Sequence, residues 1–240
     1  MRNINKTIGL FFVAFILIIS AQNTKAQQKP FKLGFKLSPA ISWLSPDSKH
    51  YKSDGKDFSI AWGLIADITL MEHYYLGTGF NISYFKGSLS YPHQMTFNEI
   101  NYEGTMNKTY KQRYIEVPLT IKMKTNQLKD NFLFFGLIGF NTGILLRAKA
   151  DEDFSGTYEG TTKTYSDTQV DIKEESTLFK TSLVVGAGTE YVVDESVSII
   201  LGLNFNNGLT NVLKGDNTIY TDIEAKAIPY YFELNLGVIF

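Results

Sequence analysis

The segment Tyr230–Phe240 is the feature that most constrains this chain. Tyr230, Phe232, Leu234, Leu236, Val238 and Phe240 fall on one side of a period-two pattern, and Tyr231, Glu233, Asn235, Gly237 and Ile239 on the other. No helical face collects the first six, so the pattern predicts a β-strand with unlike faces. The same alternation recurs along the chain. Leu76, Thr78, Phe80, Ile82 and Tyr84 oppose Gly77, Gly79, Asn81 and Ser83, while Ile115, Val117, Leu119, Ile121 and Met123 oppose Glu116, Pro118, Thr120 and Lys122. Leu183, Val185, Ala187 and Tyr191 oppose Ser182, Gly186, Gly188 and Glu190, and Val197, Ile199, Leu201, Leu203 and Phe205 oppose Ser198, Gly202, Asn204 and Asn206. Weaker copies at 31–43, 58–70 and 131–147 bring the expected count to eight strands. Short turns at Met71-Glu72-His73, Asn126–Asp130 and Asp194-Glu195-Ser196 alternate with long polar segments at 45–57, 90–109, 150–176 and 210–227. The expected fold class is therefore all-β: an eight-stranded antiparallel up-and-down transmembrane β-barrel with four long external loops at one end.

The start of the chain reads as an address. Arg2 and Lys6 precede an unbroken apolar run, Ile8–Ile19, and a polar stretch then ends in Thr24-Lys25-Ala26. A membrane-spanning helix needs about 20 apolar residues, so this shorter run predicts a cleaved secretory signal peptide over 1–26 and an exported domain over 27–240. Cleavage removes three cations and no acid, taking the formal charge from −1 to −4.

A soluble barrel of the lipocalin kind would also alternate, with its apolar face inside. The longer of these strands, of eleven to seventeen residues, are long enough to cross a bilayer at a tilt. The polar face mixes Gly, Ser and Asn with charges of both signs, which suits a narrow filled interior. Both features predict lipid outside. Continuing the alternation inward collects Lys32, Lys36, Asp67, Glu116, Lys122, Lys180, Glu190 and Glu233, with Arg147 near the loop end. That is five cations and four anions. Eight strands enclose little more than their own side chains, and charges at that depth must be paired. These nine residues are expected to form a polar plug rather than line a pore. Glu116 and Lys122 are six residues apart on one strand, about 20 Å by strand rise, so each is expected to pair with a residue of a neighbouring strand.

Composition closes other routes. With no cysteine there is neither a disulfide scaffold nor a thiolate metal site, and three histidines (His50, His73 and His93) make a poor metal centre. A near-neutral charge gives no reason to expect nucleic acid as a partner. Gly77-x-Gly79 and Gly186-x-Gly188 are followed by no helix, so they read as interior glycines rather than phosphate loops. No G-x-S-x-G is present. Loop 45–57 contains Ser45, Asp47, Ser48 and His50, and loop 150–176 carries eight acids against Lys163 and Lys173. The first reads as ordinary turn polarity. The second lacks EF-hand spacing and reads as a solvated, mobile acidic loop. No catalytic, metal or cofactor site is expected. The alternatives are a lipid-modifying enzyme using Ser48 and His50, and a small-molecule or ion transporter.

The stretch Tyr114-Ile115-Glu116-Val117-Pro118-Leu119, followed by Ile121-Lys122, is similar to the Y-[IL]-E-[IV]-P-L…K strand of PorT-like outer-membrane barrels of Bacteroidetes, and the pattern of residues 27–240 resembles that family. The final strand, with Phe232, Leu234, Leu236, Val238 and Phe240, resembles the signal read by the outer-membrane barrel assembly machinery. The resemblance implies an outer-membrane location. Its implied partners are outer-membrane lipid, the assembly machinery and other envelope or secretion proteins, since the family's founder serves type IX protein secretion. It also yields an expectation for assembly. Deleting Phe240 should lower the amount inserted in cells while detergent-refolded protein still folds; normal insertion without Phe240 would refute it.

Overall fold

A computed structural model describes residues 31–128, 131–194 and 196–240, so the signal peptide expected over 1–26 lies outside the described residues. The strands are β1 (Phe31–Pro46), β2 (Lys52–Ser53), β3 (Asp57–Met71), β4 (Tyr74–Phe97), β5 (Ile100–Lys124), β6 (Phe132–Tyr158), β7 (Thr161–Asp171), β8 (Phe179–Val192), β9 (Ser198–Gly208) and β10 (Ala227–Ile239). All are joined by antiparallel ladders. The pairings run β4-β3-β1-β10-β9-β8-β6-β5 and return from β5 to β4, a ring through eight strands. Each of these eight contains one of the alternating segments. β2 and β7 stand outside the ring, on β4 and β6.

The side chains are arranged inside out. Phe35 is 60% exposed, Phe58 63%, Leu203 64% and Phe232 54%, whereas Asp67, Glu116, Lys180 and Glu190 are each 2% exposed or less. Leu234, Leu236, Val238 and Phe240 share the outward face with Phe232. A soluble chain does not leave apolar surface of this extent in water.

Two expected loops are instead β-structure. β4 and β5 continue through 90–109 to a two-residue turn at Asn98-Glu99, with φ of 50° and 69°. β6 and β7 turn at Glu159-Gly160, with φ of 45° and 77°. Positive φ at both central residues is the hairpin turn whose twist matches the flanking strands. The acidic loop 150–176 is thus largely a hairpin, and three of its acids are ion-paired. Asp151 pairs with Lys111, and Glu152 and Glu175 both lie 2.7 Å from Lys108 Nζ. Such strands escape a search for alternation because both faces of β7, TTKTYSDTQVD, are polar and nearly all of it is exposed.

Where β4, β5 and β6 extend past the ring, an apolar core reappears. Leu44, Phe85, Leu89, Tyr91, Tyr110, Tyr114, Phe154 and Leu213 are buried together in one cluster. The segments around Ile172 and Val212 close over it, tied by backbone hydrogen bonds from Thr177 N to Val212 O and from Lys214 N to Glu175 O.

Candidate functional site

The interior charges form two groups within the ring. In the first, Asp67 on β3 accepts from Lys122 Nζ through both carboxylate oxygens, at 2.8 Å each. Lys124 Nζ, from the same strand β5, lies 2.9 Å from Asp67 Oδ2 and 2.6 Å from Glu190 Oε2 on β8. Lys32 on β1 reaches Glu190 across the lumen at 3.7 Å. In the second group, Glu116 and Lys180 meet at 2.6 Å. Asn141 Nδ2 donates to Glu116 Oε2 at 2.7 Å, and the ammonium of Lys180 sits over the rings of Tyr114, Tyr231 and Phe85 at 4.3, 5.2 and 5.5 Å. Lys36 donates to Asn235 Oδ1 at 3.4 Å, and Glu233 accepts from Asn206 at 3.0 Å. Between the two groups lies a chamber of about 90 Å³, bordered by Lys36, Asp67, Lys122, Asn141, Asn206 and Glu233.

Eight of the nine expected plug residues face this interior. Arg147 does not. A register shift after Arg113 leaves Leu146 unpaired between Leu145 and Arg147, and one extra residue reverses the faces of everything beyond it. Arg147 therefore points outward and is exposed. Lys124, one residue past the alternating segment of β5, takes its place inside, so five cations still meet four anions. The expected pairing with adjacent strands is also corrected. In the ladder Gly143 on β6 stands between Glu116 and Lys180, and a Cβ there would lie 3.2 Å from both Glu116 Cγ and Lys180 Cε. Lacking one, Gly143 lets side chains two strands apart meet above it. Gly77 plays the same part between Asp67 and β5, where Thr120 faces it. Gly188 and Gly202 accept the inward ring of Phe135.

The segment that resembles the PorT-like strand supplies Tyr114, Glu116 and Lys122 to the interior and Val117 and Leu119 to the outer surface. Sequence reasoning missed Lys108, which is 4% exposed and held by Glu152 and Glu175 beneath a second cavity of about 350 Å³. Tyr51, Tyr91 and His93 line that cavity, where burial and the nearby Lys108 hold His93 below the usual imidazole range. In loop 45–57, Ser48 Oγ donates to the Glu224 carbonyl and accepts from Lys226 N–H, while His50 stacks on Tyr220 at 4.3 Å. The Ser48 hydroxyl thus ties its loop to the backbone of Glu224 and Lys226 instead of meeting His50. Among the described residues no three His, Cys, Asp or Glu side chains come together as a metal site.

An inside-out antiparallel sheet with paired charges at its centre defines a membrane protein that crosses with strands. The chain belongs to the family described as outer membrane protein beta-barrel domain, which matches residues 20–214. That membership indicates the outer membrane as its location. No curated protein matches the chain. Among solved structures it is similar to Neisserial surface protein A, with 11% identity and a TM-score of 0.45 over 88% of this chain and 96% of that one. It is also similar to OprG from Pseudomonas aeruginosa, with 10% identity and a TM-score of 0.42 over 89% and 97%. A third is Ail, the attachment invasion locus protein of Yersinia pestis, with 12% identity and a TM-score of 0.32 over 88% and 100%. At these values the likenesses carry no argument about function.

Proposed function

We propose that the ring is a closed eight-stranded transmembrane barrel with a plugged lumen. Its role in the cell envelope is structural or interactive, exerted through the sheet and loops beyond the membrane, and it is neither an enzyme nor a transporter. One observation carries this reading: Asp67, Lys122, Lys124 and Glu190 join β3, β5 and β8 across the interior through contacts of 2.9 Å or less. A channel would leave such charges hydrated or one sign in excess. The test is fractionation. The protein is expected in the outer membrane, with heat-modifiable migration in detergent gels, because backbone groups satisfied by closed ladders resist unfolding until heated. Recovery as a soluble periplasmic monomer would overturn the reading.

The specific form implied by the resemblance at Tyr114–Leu119 is a part in type IX secretion. Deletion should then impair secretion through that route, and the protein should co-purify with other secretion components. Normal secretion without it would remove this form and leave the envelope role standing.

A further inference from the structure

The outward-facing Arg147 belongs to a second cluster of charge, on the outer wall of the sheet. Ile82, Ile115 and Ile144 form one outward row across β4, β5 and β6. In the next outward row Tyr84 pairs with Arg113 and Arg113 with Arg147; in the one above, Lys86 pairs with Lys111 and Lys111 with Lys149. Apolar wall thus gives way to five cations spread over two successive outward rows. Like charges directly opposite one another across a ladder destabilise it, so this arrangement calls for an anion. The surrounding protein supplies little negative charge. Among the described residues Asp151 pairs with Lys111 and also acts on Lys86, and Asp171 stands opposite Lys149 with its carboxylate accepting the Lys173 N–H. The cations line a hollow of about 220 Å³ to which no carboxylate contributes. The Arg113 guanidinium sits over the Tyr84 ring at 4.6 Å, and its buried Nε has no hydrogen-bond partner.

We infer that this hollow binds the phosphorylated head group of an outer-leaflet glycolipid, with the lipid's acyl chains lying over the isoleucine row. Two guanidinium groups flanked by three ammoniums suit a phosphate, which guanidinium forks bind in bidentate fashion. The tyrosine sits where aromatic side chains mark a membrane interface. The position of the hollow at head-group depth rests on the transmembrane reading proposed above; its charge and shape do not.

The test is calorimetric titration of the full chain in neutral detergent micelles with three probes: diphosphorylated lipid A, the same glycolipid after enzymatic dephosphorylation, and inorganic phosphate. The phosphorylated lipid should bind, and R113Q/R147Q/K149Q should weaken it on the order of 100-fold, following the known contribution of basic residues at anionic membrane surfaces. A control triple, K52Q/K163Q/K214Q, removes the same charge elsewhere and should leave binding unchanged. Should the first triple fail to fold, the single variant R147Q, at an exposed position, should still weaken binding about fivefold. Equal binding of the dephosphorylated lipid, equal loss in the control triple, or binding of inorganic phosphate as tight as that of the lipid would each overturn the inference. Failure of the transmembrane reading would appear separately, as recovery of the protein in the soluble fraction.

Discussion

Replacing Glu116 by alanine is expected to destabilise the folded protein by about 3 kcal/mol, because it leaves a buried cation without its anion. Glu116 and Lys180 are each 2% exposed or less and meet over Gly143 at 2.6 Å. Without the carboxylate, Lys180 keeps only the faces of Tyr114, Tyr231 and Phe85. Ring faces attract a cation but do not neutralise it. Asn141, which donates to Glu116 at 2.7 Å, loses the nearer of its two acceptors and keeps the Tyr231 hydroxyl at 3.2 Å. Denaturant unfolding of the detergent-refolded protein measures the effect. The double variant Glu116→Leu with Lys180→Met should recover most of the loss, since replacing both partners of a buried pair by apolar groups is often neutral. A loss below about 1 kcal/mol for Glu116→Ala would mean that the pair is solvated.

Asp67→Ala should cost more, about 4 kcal/mol, because one carboxylate serves two lysines. Lys122 and Lys124 both contact Asp67, and its removal leaves Glu190 alone to balance them and Lys32. The three ammoniums would then be held together with a single anion. Adding Lys122→Met to Asp67→Ala removes one of the surplus cations and should restore part of the stability, whereas adding it to the wild type should destabilise. Restoration is the outcome that distinguishes charge balance from simple loss of packing, and unfolding midpoints of the four proteins report it.

The strands of the ring were legible because one of their faces meets lipid and the other a polar lumen, and that contrast writes a period of two. Where the contrast disappears, so does the signal. β7 is polar on both faces, and the upper halves of β4 and β5 exchange lipid for water outside and polar groups for an apolar core inside. The turn at Asn98-Glu99 lacks the glycine that marks such hairpins, although Glu159-Gly160 carries it. The displacement of Arg147 turns on one unpaired residue, Leu146, within Leu145-Leu146-Arg147. No glycine or proline marks that bulge. Lys124 was lost for the opposite reason, since β5 runs one residue beyond its last alternating apolar side chain. Which charges would face inward could mostly be read. Which would pair could not, because Glu116 and Lys180 are brought together by ladder registers and by the missing Cβ of Gly143.

The central claim is that a ring of eight strands is closed at its centre by its own charges. Reconstitution of the purified protein into planar lipid bilayers tests it most directly. The account predicts no steady ion conductance, because Asp67, Lys122, Lys124 and Glu190 occupy the cross-section beside a chamber of only about 90 Å³. A steady conductance from the wild-type protein would contradict the plug and restore a transport role.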